Sequence, residues 1–284
     1  MISRRSFVRT ASLLAGTTLL PNRMLANQSE IAALDPLETM VRLRSRTDGK
    51  ISMAWLEADR EIMFDGELYP FCKLYNLMLT SFRKQDDAFI ARTFEVSYYC
   101  DPQTGELLDS FAISGGHEPA KVPIYRAGPS DVRYKAAQDE RTQIPVGPTA
   151  GSLVHHLRTI ERPKVQGSKV YLNSDEYVRV YPDPDGRPSI FYRDRMIWQA
   201  DIHSLIETAN PDVPSSFSYA AATDLRPWMK LDPTRGHTLS SGVGAKIQSR
   251  EDLPETLAHL LAQHDPQTLD DPQSYFQYEP KAAP

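Results

Sequence analysis

The chain has 284 residues, 40% of them hydrophobic, with 32 basic against 37 acidic side chains. Its net charge of −5 argues against a polyanion partner, since nucleic-acid binding rests on neutralising phosphates with Lys and Arg. The 22 prolines are spread throughout, which argues against long helices.

The first element is a leader. Arg4 and Arg5 precede Phe7, and a short, mildly apolar run follows through Leu20. It is too short and too rich in Ser, Thr and Gly for a membrane span. The paired arginines point to a twin-arginine signal peptide over 1–26, cut near Ala26, and so to a periplasmic product that meets the twin-arginine export machinery. That leader would remove Arg4, Arg5, Arg9 and Arg23, leaving 28 basic against 37 acidic side chains. No later apolar run reaches membrane-spanning length, so a soluble product is expected. Residues 27–39 read as a loose leader, 40–270 as one β-rich domain and 271–284 as a surface tail.

Val41 to Arg44 alternate, as do Ile51 to Leu56, with Asp48-Gly49 between them. Asp-Gly between alternating runs predicts a hairpin. The run FCKLYNLMLTSF (71–82) fits either a helix face or a strand. The strand reading pairs it with residues 88–99 across a turn centred on Asp86. Opposed numbers then sum to 172, which sets Cys72 against Cys100. Directly opposed Cβ atoms lie about 4.5–5.5 Å apart, so a disulfide is plausible in an oxidising compartment. The strand reading is preferred for this coincidence.

Asp101-Pro102-Gln103-Thr104-Gly105 is a turn, because Pro102 presets φ, Asp101 can accept from the backbone and Gly105 tolerates positive φ. Residues 106–111 leave it as a strand. Residues 127–148, broken by Pro129, Pro145 and Pro148, read as a long loop of the kind that often carries function. Residues 177–181 and 189–193 flank a Pro- and Gly-rich loop and predict a hairpin. Asp201 caps a short helix bearing Ile202, Leu205, Ile206 and Ala209. Asp252-Leu253-Pro254-Glu255 reads as the start of a C-terminal helix over about 252–264 with an apolar stripe at Leu257, Leu260 and Leu261.

The expected fold is mainly β: a single antiparallel barrel or strongly curved sheet, lipocalin-like in broad form, with a few short helices. Curled sheets of this size can enclose a cavity.

Three stretches resemble a known family. They are Tyr99-Cys100-Asp101-Pro102-Gln103-Thr104-Gly105-Glu106-Leu107-Leu108, then Arg226-Pro227-Trp228-Met229-Lys230-Leu231, then Arg235-Gly236-His237 leading to Leu253-Pro254. Together they resemble a bacterial and fungal family catalogued as domain of unknown function 1838, whose members often carry twin-arginine signals. The likeness spans about 40 to 270. Where that family has a second Asn-Pro-x-Thr-Gly turn, this chain has Ser114-Gly115-Gly116-His117-Glu118-Pro119. The resemblance brings no established chemistry.

No phosphate loop, dinucleotide fingerprint or nucleophile elbow is present, and no cofactor is expected. His155 and His156 would point to opposite faces of a strand, and no acid follows at metalloprotease spacing, so no metal site is assigned. The sharper signal is a strand face carrying Tyr177, Arg179 and Tyr181, with Val178 and Val180 on the other side. Arg193 and Trp198 lie on the partner segment, and Trp228 and His237 follow. If that face lines a cavity, Tyr177, Arg179, Tyr181, Trp198 and Trp228 would hold a small aromatic or apolar ligand, an anionic one included. If it meets solvent, arginine simply stacks on tyrosine. His237 and Arg193 are the candidate catalytic pair for a cofactor-independent lyase or isomerase on the same barrel. The competing expectation is a non-catalytic envelope protein acting through a protein partner.

Overall fold

A computed structural model describes residues 34–113, 117–143, 153–181, 190–207 and 209–276. The expected signal peptide, the Gly115-Gly116 loop, the loop after Tyr181 and the end of the tail lie outside the described residues.

Helix α1 (Pro36–Arg44) occupies the stretch expected to begin a hairpin. Asp35 caps it by accepting from Glu38 N at 2.8 Å, and Pro36 sits at its first position, where a missing N–H costs nothing. Four alternating residues suit either period, and the cap upstream decides for the helix. Leu37, Met40, Val41 and Leu43 are buried in the main core.

The strands are β1 (Ser52–Phe64), β2 (Glu67–Gln85), β3 (Ala88–Cys100), β4 (Ser110–Phe111), β5 (Ala120–Lys121), β6 (Tyr125–Tyr134), β7 (Ala137–Gln143), β8 (Leu153–Ile160), β9 (Lys164–Gln166), β10 (Lys169–Tyr181), β11 (Ile190–Asp201), β12 (Ser215–Asp224) and β13 (Gly236–Ile247). Ten of them form one antiparallel, nearly closed barrel-like sheet in the order β6-β3-β2-β1-β13-β12-β11-β10-β8-β7. The mainly β, single-barrel expectation holds. The edges β6 and β7 are consecutive in the chain. Their shared turn ties the seam at one end, where Ile160 N donates to Ala136 O at 2.9 Å and Arg158 Nη1 to Arg133 O at 3.0 Å.

Residues 127–148 are therefore not one long loop. Most of 127–143 forms the two edge strands. Edge strands tolerate proline and charge because one of their sides makes no ladder bonds, so their sequences imitate loops.

The β2–β3 hairpin corrects the cysteine pairing. Its turn is Asp86-Asp87, with Gln85 opposite Ala88, so opposed numbers sum to 173 and Cys100 faces Lys73. A slip of one residue exchanges the faces of a strand. Cys72 lies in the barrel interior and Cys100 in the layer outside the sheet, and both are free.

That outer layer explains the ambiguous 71–82 run. The inner side of β2 and β3 meets the barrel core. The outer side, with Tyr75, Leu77, Leu79, Val96 and Tyr98, packs under Leu257, Leu260 and Leu261 of α3 (Glu255–His264). Strands buried on both faces lose their alternation. Asp252 does not begin α3. It closes a reciprocal cap with Ser249 around the turn Arg250–Asp252, and α3 starts after Pro254. Asp201 caps α2 (Ile202–Ile206) as expected, accepting from His203 N at 2.9 Å. No helix among the described residues is long and apolar enough to cross a membrane.

Candidate functional site

Successive residues of a strand point to opposite faces. In β1 the buried row is Ser52, Ala54, Leu56, Ala58, Arg60, Ile62 and Phe64, so one guanidinium interrupts an otherwise uncharged inner row. The inner rows of β3, β10 and β11 are interrupted in the same way by Glu95, Glu176 and Asp194. These interruptions fall around a cavity of about 420 Å³. Arg44 reaches it from the last turn of α1 and Arg226 from the segment after β12. Tyr99, Tyr125, Tyr134, Tyr192 and Tyr219 supply aromatic wall, with Leu56, Leu74, Met78, Val178 and Met196 between them.

The three cavity acids differ. Glu176 is held as a carboxylate: Arg158 Nη2 donates to its Oε1 at 2.8 Å, and His156 Nε2 lies 2.6 Å from the same oxygen. Burial works against the charge, but Arg158 and His156 outweigh it and hold this carboxyl well below the usual range. Arg158 is itself 2% exposed. It also donates to Gln138 Oε1 at 2.8 Å and stacks 3.5 Å from the Tyr134 ring centre.

Asp194 is 6% exposed, and among the described residues no cation is bonded to it. The Tyr192 hydroxyl donates to its Oδ2. Burial, with the negative charge of Glu176 beside it, pushes this carboxyl up to about 7, against the smaller opposing pull of the Tyr192 hydroxyl, Arg44 and Arg158. Glu95 is also raised by burial, opposed chiefly by Arg226.

The cations are less well matched. Arg60 Nε donates to Ser240 Oγ at 2.8 Å and its guanidinium lies 5.6 Å from the Tyr99 ring centre. Arg226 lies 5.6 Å from the Tyr125 ring centre, and its buried Nε has no protein partner among the described residues. Asn76 Nδ2 donates to Ser97 Oγ at 2.8 Å, but its buried Oδ1 is also without one. Buried polar atoms are normally satisfied, so these are open positions for a ligand or water.

The structure does not gather the residues singled out from sequence. Tyr177, Arg179 and Tyr181 share the outer row of β10, where Arg179 sits 4.9 Å from the Tyr177 ring centre. Arg193 is on the outer row of β11, 58% exposed and paired with Asp175 at 2.9 Å. His237 is on the outer row of β13, opposite Met63 and Asp224. Trp198 does point inward, but it is wholly buried against Phe217 at 4.3 Å and does not line the cavity. Trp228 packs behind the wall, 5.9 Å from Tyr99.

The physical reason is parity. Closing the sheet puts the even-numbered row of β10 inside, so Val178 and Glu176 line the cavity. One signal could have found the site: a single charged residue in an otherwise uncharged alternate row, as at Arg60 and Glu176. His155 and His156 do point to opposite faces, toward Asp139 and Glu176. Among the described residues no group of three or more His, Cys, Asp or Glu is placed to hold a metal ion.

No protein-family model matches the chain, and no curated protein is similar to it.

Proposed function

We propose that the barrel interior binds a small, partly aromatic molecule that carries an anionic group, and that the chain does this as an exported, periplasmic protein. One observation supports the reading above others: the cavity holds more positive charge than it neutralises. Glu176 is matched by Arg158, and Asp194 and Glu95 are both shifted toward their protonated forms. That leaves Arg44, Arg60 and Arg226 facing a tyrosine-lined space. Guanidinium pairs well with carboxylate or enolate oxygen, and tyrosine rings suit a flat apolar body. A pocket of a few placed polar groups in apolar walls is the usual form of a small-molecule site.

The test is thermal stabilisation by a panel of aromatic carboxylates beside their neutral amides. A ligand that binds only the folded state raises stability by mass action. The carboxylates should stabilise and the amides should not, and Arg226→Ala should remove the difference. Equal response to both, or to neither, contradicts the reading. Native mass spectrometry of protein taken from the periplasm should show a small anionic molecule travelling with it.

A further inference from the structure

We propose that Asp194 is a general base that takes a proton from carbon beside a carbonyl of the bound molecule, so that the cavity catalyses a cofactor-free proton shift. This rests on the binding reading above and adds a reaction to it.

The geometry comes first. Asp194 and Glu176 are directly opposed across β11 and β10 and line one cavity. Among the described residues only Glu176 has a cation bonded to it. The Tyr192 hydroxyl fixes Asp194 through Oδ2, and among the described residues no donor reaches Oδ1. A held carboxylate with one free oxygen, facing an aromatic cavity, has the arrangement of a base. Two carboxyls whose surroundings separate their proton affinities mark an acid–base pair. Glu176, locked by Arg158, serves to keep Asp194 basic.

The step balances within the site. Asp194 Oδ1 accepts the proton, and the C–H pair becomes a new C=C bond. The carbonyl π pair moves onto oxygen, giving an enolate. Arg60 and Arg226 are the cations available to that oxygen, the usual electrostatic support for a developing oxyanion. In a substrate with a C=C next to that carbon, the oxygen's pair re-forms the C=O, the two C=C pairs each shift by one bond, and Asp194 returns the proton to the far alkene carbon. The product is an isomer, the base is regenerated, and no oxidant or cofactor is consumed.

The charged and titratable groups around Asp194 come from several elements. Glu176 faces it from β10, Arg44 from α1 and Arg158 from β8. Tyr219 of β12 and Tyr134 of β6 are the further phenols, with Tyr192 on its own strand. Their balance leaves the proton exchangeable near neutrality, where a general base works best.

The probe is 5-nitrobenzisoxazole, a flat aromatic that loses its C3 proton to a base. Its N–O bond breaks in the same step, giving a nitrile and a phenolate. Wild-type protein should exceed acetate per carboxylate by about 100-fold or more, within the range of positioned acid–base groups. The rate should rise with pH to a plateau, with its midpoint near neutrality. Asp194→Asn should lower it at least about tenfold, with the cooperative thermal unfolding of a folded protein retained. Tyr192→Phe should move the midpoint upward, because that hydroxyl favours the charged carboxylate. This shift is one that a merely structural role would not produce.

Binding of anilinonaphthalene sulfonate, an aromatic anion, read on the same samples separates the two claims. If the dye binds and Asp194→Asn reacts as fast as wild type, the base assignment is overturned and the pocket stands. If the dye does not bind and Arg226→Ala changes nothing, the pocket reading fails and the base assignment goes with it.

Discussion

Glu176 and Asp194 stand directly opposite each other on β10 and β11, both on the inner face of the barrel, yet they carry charge differently. Like charges directly opposed across a sheet are destabilising. The fold resolves this by giving Glu176 the buried guanidinium of Arg158 and leaving Asp194 a tyrosine hydroxyl. Below about pH 7 a proton on Asp194, favoured by its burial and by Glu176, relieves the repulsion.

This pair makes stability depend on pH with opposite signs. Asp194 is raised from 3.8 to about 7 in the folded state. Its contribution is complete below pH 4 and is lost as pH rises through about 7. Glu176 is depressed from 4.5, so its contribution is present above that value and is lost only in strong acid. Between pH 5 and 8 the Asp194 effect therefore governs the slope, and Glu95, also raised, adds in the same direction. Wild-type protein should lose on the order of 2–3 kcal/mol over this interval, because about two units of the shift fall between pH 5 and pH 7, at 1.36 kcal/mol each. Thermal melts of wild type and Asp194→Asn at pH 5 and pH 8 check it. The variant should show the shallower slope, and parallel slopes would contradict the assignment.

Arg158 should be needed because Glu176 is charged. Removing one partner of a buried ion pair leaves an uncompensated charge and costs about 3–5 kcal/mol. Arg158→Met should fall in that range, since Glu176 and Gln138 both lose their donor. Adding Glu176→Gln to Arg158→Met should recover part of the loss, because the carboxylate that Arg158 neutralised is then gone. Denaturant unfolding of both singles and the double closes the cycle. A double variant as weak as the sum of the singles would show that the two do not act as a pair.

Much of the architecture was legible because it is written locally. Asp201 caps its helix as expected. Asp101 accepts from Gln103 N at 2.8 Å and Thr104 N at 2.9 Å, and Gly105 takes φ of 74°, as the turn reading required. What failed depended on neighbours far along the chain. Edge strands β6 and β7 resemble loops because a strand with one neighbour has little to bury. The choice between Tyr-Arg and Val-Glu faces on β10 is settled only when the sheet closes and one side becomes the inside. Cys72 and Cys100 were misjudged by a single residue of turn length, which local residue preferences do not resolve at Asp86-Asp87. Arg44 was hidden by the helix that delivers it to the cavity.

The free thiols give a direct check on that register. Burial pushes Cys72 up to about 12 and Cys100 up to about 11. Both should stay protonated at pH 8 and react with a disulfide reagent only slowly, since thiolate is the nucleophile. In denaturant two thiols should label per chain without prior reduction, and reducing agent should leave the melting temperature unchanged. Finding no labelling in denaturant until a reductant is added would restore the bridged pair and overturn the observed register.

Lys246 should control the end of the barrel that α1 fills. Its ammonium is fully buried, donates to Ser45 O at 2.9 Å and Arg42 O at 3.1 Å, and pairs with Asp212 at 3.0 Å. It thus satisfies backbone carbonyls at the C-terminal end of α1, where helical carbonyls lack partners and a cation suits the dipole. Burial lowers its pKa, and Asp212 opposes that shift. Lys246→Met would fill similar space but leave those carbonyls and part of the Asp212 charge unsatisfied, at a cost of about 2–4 kcal/mol. The consequence should be local. Because α1 carries Arg44 into the cavity, loosening it should weaken binding of an anionic probe more than that of a neutral one. Hydrogen exchange should quicken in α1 and leave β2 and β3, held on both faces, unchanged. Uniform quickening across the sheet would instead mean that Lys246 supports the whole barrel, and that α1 is no separate closure of its end.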